Sequence, residues 1–197
     1  MEKIGLVTIT YNSEDVIKGF LDSVLNQNFK NFVFFIIDNN SNDSTESIIR
    51  CCEDSRIIFI KNHENTGVAK ANNQGIRLSL DHGCSHVLMI NNDTEFESSL
   101  LEKMLNIQRL QNCSLVAPKM MYFDNKEHIW YGGSYFYRKN GYLPLHNGIR
   151  QKDIGQFDGN YEVEYAPTCC LLVKKEVFND IGLMDEKYFV YFDDTDF

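Results

Sequence analysis

The sequence predicts an α/β fold in which helices flank a mostly parallel β-sheet. Short apolar segments typical of buried strands alternate with amphipathic segments of helical spacing through the first half of the chain. Each apolar segment ends in a cluster of polar residues. The length of 197 residues suits one sizeable hydrophobic core and is short for two domains. We therefore expect a single domain.

Four strand–helix pairs are predicted in the first half. The strands are expected at 4–10, 32–37, 57–60 and 87–90, and the helices at 13–27, 43–52, 66–80 and 97–110. Ser13 is the expected N-cap of the first helix, Asp43 or Ser44 that of the second, and Gly83 ends the third. Such alternation implies parallel pairing with right-handed crossovers.

Polar clusters follow these strands at the edge where their carboxyl ends meet. In open α/β sheets ligands bind outside this edge. The clusters expected there are Tyr11-Asn12, Asp38-Asn39-Asn40, 63–66 and Asn91-Asn92-Asp93. Asn and Asp also cap strands and open turns for local reasons, so each cluster alone is a weak signal. Their convergence is the strongest indication of a functional site that the residues themselves give.

The pattern changes after Ala117-Pro118. Residues 130–159 are rich in Tyr, Gly and Asn, which predicts short antiparallel strands and loops. An apolar run at 168–173 precedes a short helix at 174–180. The single domain 1–197 is thus expected to have a ligand-binding half, 1–117, and a smaller half, 118–197.

The net charge of −9 argues against a nucleic-acid partner, which needs a basic surface. A single nucleotide needs only a local pocket and is not excluded. The six cysteines include two adjacent pairs and no CxxC, a poor pattern for disulfides or zinc. Without a signal-peptide pattern or a membrane-length apolar run, we expect a soluble protein of the reducing cytoplasm. Weak membrane association and self-association are left open.

Several motifs allow both a functional and a structural interpretation. The run 65–75 places small residues where a helix approaches either a ligand or the sheet. Asp193, Asp194 and Asp196 lie beside aromatic residues, where a general base can have a raised pKa, or they form a solvated chain end. Trp130 and the tyrosines after it stack on a sugar or pack in the core. The first strand is followed by neither GxGxxG nor a P-loop.

Taken in order, the motifs resemble the catalytic domain of family-2 glycosyltransferases, in the subgroup that includes rhamnosyltransferases. The resemblance covers nearly the whole chain and implies the GT-A fold, a Rossmann-like, mostly parallel sheet with a small antiparallel and loop region on the acceptor side. The motifs that carry it are VTITYN at 7–12, IDNNS at 37–41, NTGVAKANNQG at 65–75, MINND at 89–93, Gly132-Gly133, CCLLVKKEVF at 169–178 and GLMDEKYFVYFDDTD at 182–196.

This resemblance implies a nucleoside diphosphate-sugar donor and an inverting single displacement. Asp38 is then expected to read the nucleotide base. The other residues expected in the donor pocket are Thr8, Tyr11, Asn12, Asn40, Asn65, Gly67, Asn72 and Asn92. Asp93 is the one carboxylate left in the family's metal motif and is expected to bind Mg²⁺ or Mn²⁺. Asp194, with Asp193 beside it in the acidic motif, is expected to be the catalytic base.

The resemblance places the chain in cell-surface polysaccharide or glycoconjugate synthesis. The expected reaction moves a sugar, with rhamnose as one candidate, from a dTDP- or UDP-sugar to a glycan or lipid-linked saccharide, in the cytoplasm or at the inner face of the membrane. The family continues past the acidic motif with a helix and often a histidine, so we expect C-terminal truncation. The main alternative is a nucleotide-sugar-binding module with little or no activity. A nucleotidyltransferase is disfavoured because residues 10–15 form no glycine-rich basic loop.

Overall fold

The computed structural model describes residues 2–197 and confirms the α/β fold with a mostly parallel central sheet. The main sheet has six strands: β1 (Ile4–Thr10), β2 (Phe32–Asp38), β3 (Ile57–Lys61), β4 (His86–Ile90), β5 (Leu115–Val116) and β10 (Cys170–Lys174). Their spatial order is β3-β2-β1-β4-β10-β5. The first four strands pair in parallel, so their carboxyl ends share one edge as the sequence predicts.

Helices cover both faces of this sheet, and most begin later than predicted. They are α1 (Ile17–Leu25), α2 (Thr45–Arg50), α3 (Val68–Asp81), α4 (Leu100–Gln111), α5 (Lys175–Asp180) and α6 (Asp193–Asp196). The prediction that Ser13 caps α1 is wrong: its hydroxyl accepts hydrogen bonds from the Tyr11 N–H and the Asn92 amide instead. At α2 the Asp43 carboxylate accepts the N–H of Thr45, as expected of a capping side chain.

The alternation of side chains along the strands divides the core between the two faces of the sheet. Leu6 of β1 packs on the face covered by α1 and α4, where Phe20 meets Phe34 edge-on with ring centroids 5.8 Å apart. Val7, the next residue, packs on the opposite face with Ile76 of α3. Both apolar layers are fully buried, and they hold the edge rigidly in place.

Small residues in α3 allow that helix to lie unusually close to the sheet. A Cβ on Gly75 would come within 2.2 Å of a Val7 methyl group, and one on Gly5 within 2.2 Å of the Ser79 hydroxyl. At Gly75 the run 65–75 therefore serves helix–sheet packing, which is the structural interpretation given above.

β10 comes from the smaller half of the chain yet lies inside the main sheet. It pairs antiparallel with β4, Cys170 opposite Ile90, and separates β4 from β5. The sequence predicts the apolar run but not this placement, since a five-residue apolar strand carries no signal of its direction. The second half thus completes the sheet that the first half begins.

The rest of the second half forms short antiparallel strands, as predicted. β6 (Met120–Met121) pairs with β7 (Ile129–Tyr131), and β8 (Ser134–Tyr137) pairs with β9 (Leu143–His146). All six cysteines, which lie within the described residues, are free thiols. Between residues 2 and 197 no helix combines the length and apolar character that crossing a membrane requires.

Candidate functional site

The carboxyl ends of β1, β2 and β4 meet the start of β10 at one edge of the sheet. The Asn92 amide donates to the carbonyl of Ile9 at 2.7 Å and to the Ser13 hydroxyl at 2.8 Å, which ties the end of β4 to the end of β1. The N–H of Asn91 donates to the carbonyl of Cys169 at 3.0 Å. The polar clusters predicted to converge are therefore held together by direct hydrogen bonds.

Asp38 is fully buried at the end of β2, where the protein itself satisfies its carboxylate. One oxygen accepts the hydroxyls of Thr10 at 2.7 Å and Ser41 at 2.5 Å, and the other accepts the N–H of Ser41 at 2.9 Å. The Ser41 hydroxyl in turn accepts the N–H of Asn12 at 2.9 Å. Asp38 thus organises the loops of β1 and β2. Its role in reading a base stays a prediction.

Two residues expected in the donor pocket lie below the edge. Thr8 is 1% exposed, and its hydroxyl donates to the carbonyl of Ile90 at 2.7 Å. Asn72 is 5% exposed within α3. Both side chains are buried in this structure, and that of Thr8 joins β1 to β4. Their role in donor binding stays a prediction.

Three other expected residues are accessible at the edge. The ring of Tyr11 is half exposed, and Asn12 is exposed. Asn12 and the half-buried Asn40 both have left-handed backbones, with φ of 50° and 66°. Asparagine tolerates this region better than most residues, which explains the residue type at both turns. These turns present polar side chains toward solvent at the ends of β1 and β2.

Asn39 connects the end of β2 to the start of α3, a role that sequence reasoning missed. Its amide nitrogen donates to the Asn65 side chain at 3.2 Å and to the carbonyl of Gly67 at 3.1 Å. Its amide oxygen accepts from Asn62 and Thr66. The only signal in the sequence was its place directly after Asp38. The expected donor residues Asn65 and Gly67 are thereby fixed relative to β2.

The start of α3 is covered by the segment that leads to the C-terminal acidic motif. The N–H of Val68 donates to the carbonyl of Phe189 at 2.7 Å. A Cβ on Gly67 would lie 2.6 Å from the same carbonyl oxygen, and Gly67 has a φ of 81°. In this structure the glycine makes room for Phe189, and a role for it in donor binding stays a prediction.

Asp93 has the properties of a cation ligand at the end of β4. Its carboxylate is exposed and makes no hydrogen bond within the described chain, and the exposed Asn91 amide lies two residues away. Among residues 2–197 no group of three or more His, Cys, Asp or Glu side chains assembles a metal site. One carboxylate with amide oxygens fits Mg²⁺ or Mn²⁺ only when diphosphate oxygens and water complete the coordination.

Asp193 and Asp194 begin α6 directly after two strained residues. Tyr191 and Phe192 both have left-handed backbones, with φ of 66° and 62°, which is costly for bulky side chains. Burial raises the pKa of Asp193, and the negative charge of Asp194 raises it further. Burial also raises the pKa of Asp194, against the lowering effects of nearby backbone N–H groups and His146. A carboxylate with a raised pKa is a stronger base.

His146, Tyr165 and Cys169 lie around Asp194 and were missed by sequence reasoning. His146 bonds through Nδ1 to the carbonyl of Trp130 at 3.2 Å, and its ring centroid is 5.1 Å from that of Tyr131. Burial raises the pKa of the Tyr165 hydroxyl, as does the charge of Asp194. The aromatic segment was predicted, but the histidine has no pairing that marks it in the sequence.

Cys169 brings Asp93 and Asp194 into one region of the structure. Burial raises the pKa of its thiol to about 12, and the charges of Asp93 and Asp194 contribute to that rise. Both carboxylates must therefore lie close enough to Cys169 to act on its thiol, because such effects decay with distance. The bond from the Asn91 N–H to the Cys169 carbonyl places the segment of the predicted metal ligand beside the start of β10, and the charge of the predicted base acts on the same thiol.

Comparison with known proteins gives a family match and several relatives. Residues 6–182 match the family described as Glycosyl transferase family 2. The low-salt glycan biosynthesis hexosyltransferase Agl10 of Haloferax volcanii is 26% identical over 203 residues, covering 100% of this chain and 61% of the relative. The dTDP-rhamnosyl transferase RfbF of Shigella flexneri is 26% identical over 199 residues, covering 98% of this chain and 61% of the relative.

Solved structures share the fold at low sequence identity. The S. aureus TarS 1–349 structure superposes with a TM-score of 0.71 at 16% identity, over 98% of this chain and 53% of that one. The mannosyltransferase PcManGT from Pyrobaculum calidifontis, in complex with GDP-Man and Mn²⁺, gives a TM-score of 0.65 at 17% identity, over 98% and 50%. The chain thus spans about three-fifths of these curated relatives and half of these structures. With a family match across most of its length, and the GT-A architecture to accompany it, the chain belongs to glycosyl transferase family 2.

Proposed function

We propose that this chain is the catalytic domain of an inverting glycosyltransferase that uses a nucleoside diphosphate-sugar donor. The observation that carries the proposal is the edge of the sheet where the polar ends of β1, β2 and β4 meet the start of β10, joined by the hydrogen bonds of Asn91 and Asn92. A transferase of this kind needs a charge-stabilising group and a base on either side of one reacting carbon. The two carboxylates and the open carboxyl edge of the sheet supply candidates for both.

In the proposed reaction Asp194 accepts the proton of an acceptor hydroxyl while that oxygen attacks the anomeric carbon of the donor sugar. The new carbon–oxygen bond forms as the bond to the diphosphate breaks, the nucleoside diphosphate leaves with the electron pair, and the anomeric configuration inverts. A base of this type contributes typically about 10²–10⁴-fold to the rate. Asp93 would hold Mg²⁺ or Mn²⁺, which when bound stabilises negative charge on the leaving diphosphate.

The proposed donor is a deoxythymidine or uridine diphosphate sugar, with rhamnose as one candidate. A relative named as a dTDP-rhamnosyl transferase and a TarS structure in complex with UDP support this class. The proposed acceptor is a glycan or lipid-linked saccharide in polysaccharide synthesis, in the cytoplasm or at the inner face of the membrane. Relatives named for glycan and diphosphoundecaprenol-linked substrates support it.

A nucleotide-sugar-binding module with little activity is the second candidate. Two observations favour it: within residues 2–197 no three His, Cys, Asp or Glu side chains assemble a metal site, and hydrogen bonds from the protein itself hold the carboxylate of Asp38. Both candidates predict nucleotide binding, but only the transferase predicts that nucleoside diphosphate is released when donor and acceptor are supplied together.

A thermal-shift screen against UDP, dTDP, GDP and CDP, each with and without Mn²⁺, tests the donor pocket. A ligand that binds only the folded state, present at a hundredfold excess over its Kd, stabilises by roughly 2.7 kcal/mol. We expect stabilisation by UDP or dTDP that depends on Mn²⁺. The absence of stabilisation by every nucleotide in the series would count against both candidates.

A further inference from the structure

A cavity of about 310 Å³ lies in the smaller half of the chain, beside the turn between β7 and β8. This volume falls at the lower end of the range for small-molecule sites, the size suited to a single ring. The lining residues include two glycines, two aromatic rings and several polar side chains. None of them is among the residues expected in the donor pocket or at the catalytic base.

Glycines leave room for the two aromatic rings that line this cavity. The Phe157 ring packs on the bare backbone of Gly132 and Gly148, where a Cβ would come within 2.9 Å and 2.6 Å of ring carbons. The Tyr161 ring lies over Gly159, where a Cβ would be 2.6 Å from its hydroxyl oxygen. The motif Gly132-Gly133 therefore has a local purpose, since any side chain at Gly132 would displace Phe157.

Polar groups at the cavity remain available for a ligand. The Asn147 amide, the Glu162 carboxylate and the Tyr161 hydroxyl make no side-chain hydrogen bond within the described chain. Gln156, by contrast, uses its oxygen to accept the N–H of Ile154 and its nitrogen to donate to the carbonyl of Lys152. Three uncommitted polar groups thus surround rings whose faces are apolar.

We propose that this cavity binds one neutral sugar ring of the acceptor saccharide. The C–H face of a pyranose packs on an aromatic ring, while its hydroxyls donate to a carboxylate and exchange hydrogen bonds with an amide. The negative charge of Glu162 disfavours anionic rings such as uronates, since the lining residues include no cation to offset it.

The cavity shares its backbone segments with Tyr131 and His146. The N–H of Gly132 donates to the carbonyl of Asn147 at 3.0 Å, and the N–H of Asn147 donates to the carbonyl of Gly133 at 2.8 Å. The residues directly before them, Tyr131 and His146, bring their rings to 5.1 Å, and His146 acts on the pKa of Asp194. The backbone segments that line the cavity thus also carry the ring of His146, whose charge acts on Asp194. This acceptor role rests on the proposed function.

Saturation-transfer NMR with methyl glycosides and no nucleotide tests the ligand class. We expect the native chain to bind the methyl glycosides of glucose, rhamnose or N-acetylglucosamine and to reject that of glucuronic acid. Tyr161→Ala should weaken binding by roughly fivefold to tenfold. Glu162→Gln should reduce the difference in affinity between the neutral glycosides and the glucuronic acid glycoside. Phe123→Ala is the matched control, because Phe123 is 58% exposed against 61% for Tyr161 and lies outside the cavity.

Two results would overturn the proposal: no saturation of any neutral glycoside, or equal binding by the native chain and Tyr161→Ala. The Mn²⁺-dependent thermal shift with nucleotide, measured on the same samples, separates this failure from failure of the proposed function. Nucleotide stabilisation without glycoside binding would remove the cavity proposal alone. Glycoside binding without nucleotide stabilisation would remove the transferase proposal and leave the ligand class of the cavity standing.

Discussion

The backbone N–H of Val68 donates to the carbonyl of Phe189 at 2.7 Å, joining the start of α3 to the segment that leads into Asp193 and Asp194. Asn73 reinforces this connection, because its side chain both donates to the carbonyl of Met184 at 2.8 Å and accepts its N–H at 3.0 Å. This pair of bonds explains an asparagine in the middle of a helix, where its propensity is poor. The position of the proposed base thus depends on α3.

Gly67→Ala is expected to destabilise the protein by roughly 2 to 4 kcal/mol, because φ of 81° with ψ of 177° is a backbone conformation nearly restricted to glycine and the added Cβ conflicts with Phe189. The control is Gly83→Ala, which has a similar φ of 69° but nothing within 4 Å of the added Cβ. It should cost only about 1 to 2 kcal/mol. Urea denaturation measures both, and equal costs would mean that the contact with Phe189 adds nothing.

Asp194→Asn is expected to lower the transfer rate by about 10²–10⁴-fold and to leave Mn²⁺-dependent nucleotide binding unchanged. The amide keeps the size of the side chain but cannot accept the acceptor's proton. Asp196→Asn is the matched control, since Asp196 lies exposed in the same short helix. Release of nucleoside diphosphate measures transfer, and a loss of nucleotide binding by Asp194→Asn would show that its role is misassigned.

Asp93→Ala is expected to weaken Mn²⁺-dependent nucleotide binding at least about tenfold, because it removes the carboxylate proposed to bind the metal. Asp81→Ala, an exposed carboxylate at the end of α3, should leave binding unchanged. Titration calorimetry with UDP or dTDP, with and without Mn²⁺, gives the affinities. If Asp93→Ala binds as tightly as the native chain, Asp93 does not belong to the metal site.

Asp38→Ala is expected to cost about 3 kcal/mol of folding stability, since it leaves the Thr10 and Ser41 donors without their buried acceptor. Asp124→Ala, an exposed residue of the loop between β6 and β7, should stay within about 0.5 kcal/mol of the native chain. Chemical denaturation compares the two. A stable Asp38→Ala protein would contradict the structural role and would make Asp38 a clean probe of base reading.

The acid limb of the transfer rate is expected above pH 3.8, the ordinary aspartate pKa, because burial raises the pKa of Asp194. The charge of His146 opposes this rise, so His146→Gln should move the limb to higher pH. Profiles of kcat/KM against pH, recorded for the native chain and for His146→Gln, give the position of the acid limb in each protein. A limb that stays in place in His146→Gln would show that the histidine does not act on the base.

The folding stability should fall as the pH rises, whereas the transfer rate rises over the same acid range. A raised pKa means that the folded chain holds the protons of Asp193 and Asp194 more tightly than the unfolded chain does. Their contribution is complete below pH 3.8 and is lost as the pH rises through the folded pKa values. Asp193→Asn should flatten this dependence in denaturation experiments, and an unchanged slope would contradict it.

The sequence predicted the first four strands and the edge they share because apolar runs ending in Asn and Asp reflect burial and strand ends directly. It could not predict that Thr8 and Asp38 are turned inward, since residue type does not show whether a polar side chain meets the protein or a ligand. The antiparallel entry of β10 beside β4 and the approach of His146 to Asp194 depend on contacts between distant parts of the chain. Local pattern carries no information about such contacts.

The place of β10 also affects how the chain folds during synthesis. Ile90 and its partner Cys170 are about 80 residues apart, so β4 emerges from the ribosome long before its second neighbour. At about 5–20 residues per second that delay is roughly 4 to 16 s. During this delay one backbone edge of β4, a strand that is entirely buried in the folded protein, has no partner and is a template for pairing with other chains. The edge of β4 is closed only when β10, which ends at residue 174, has been made.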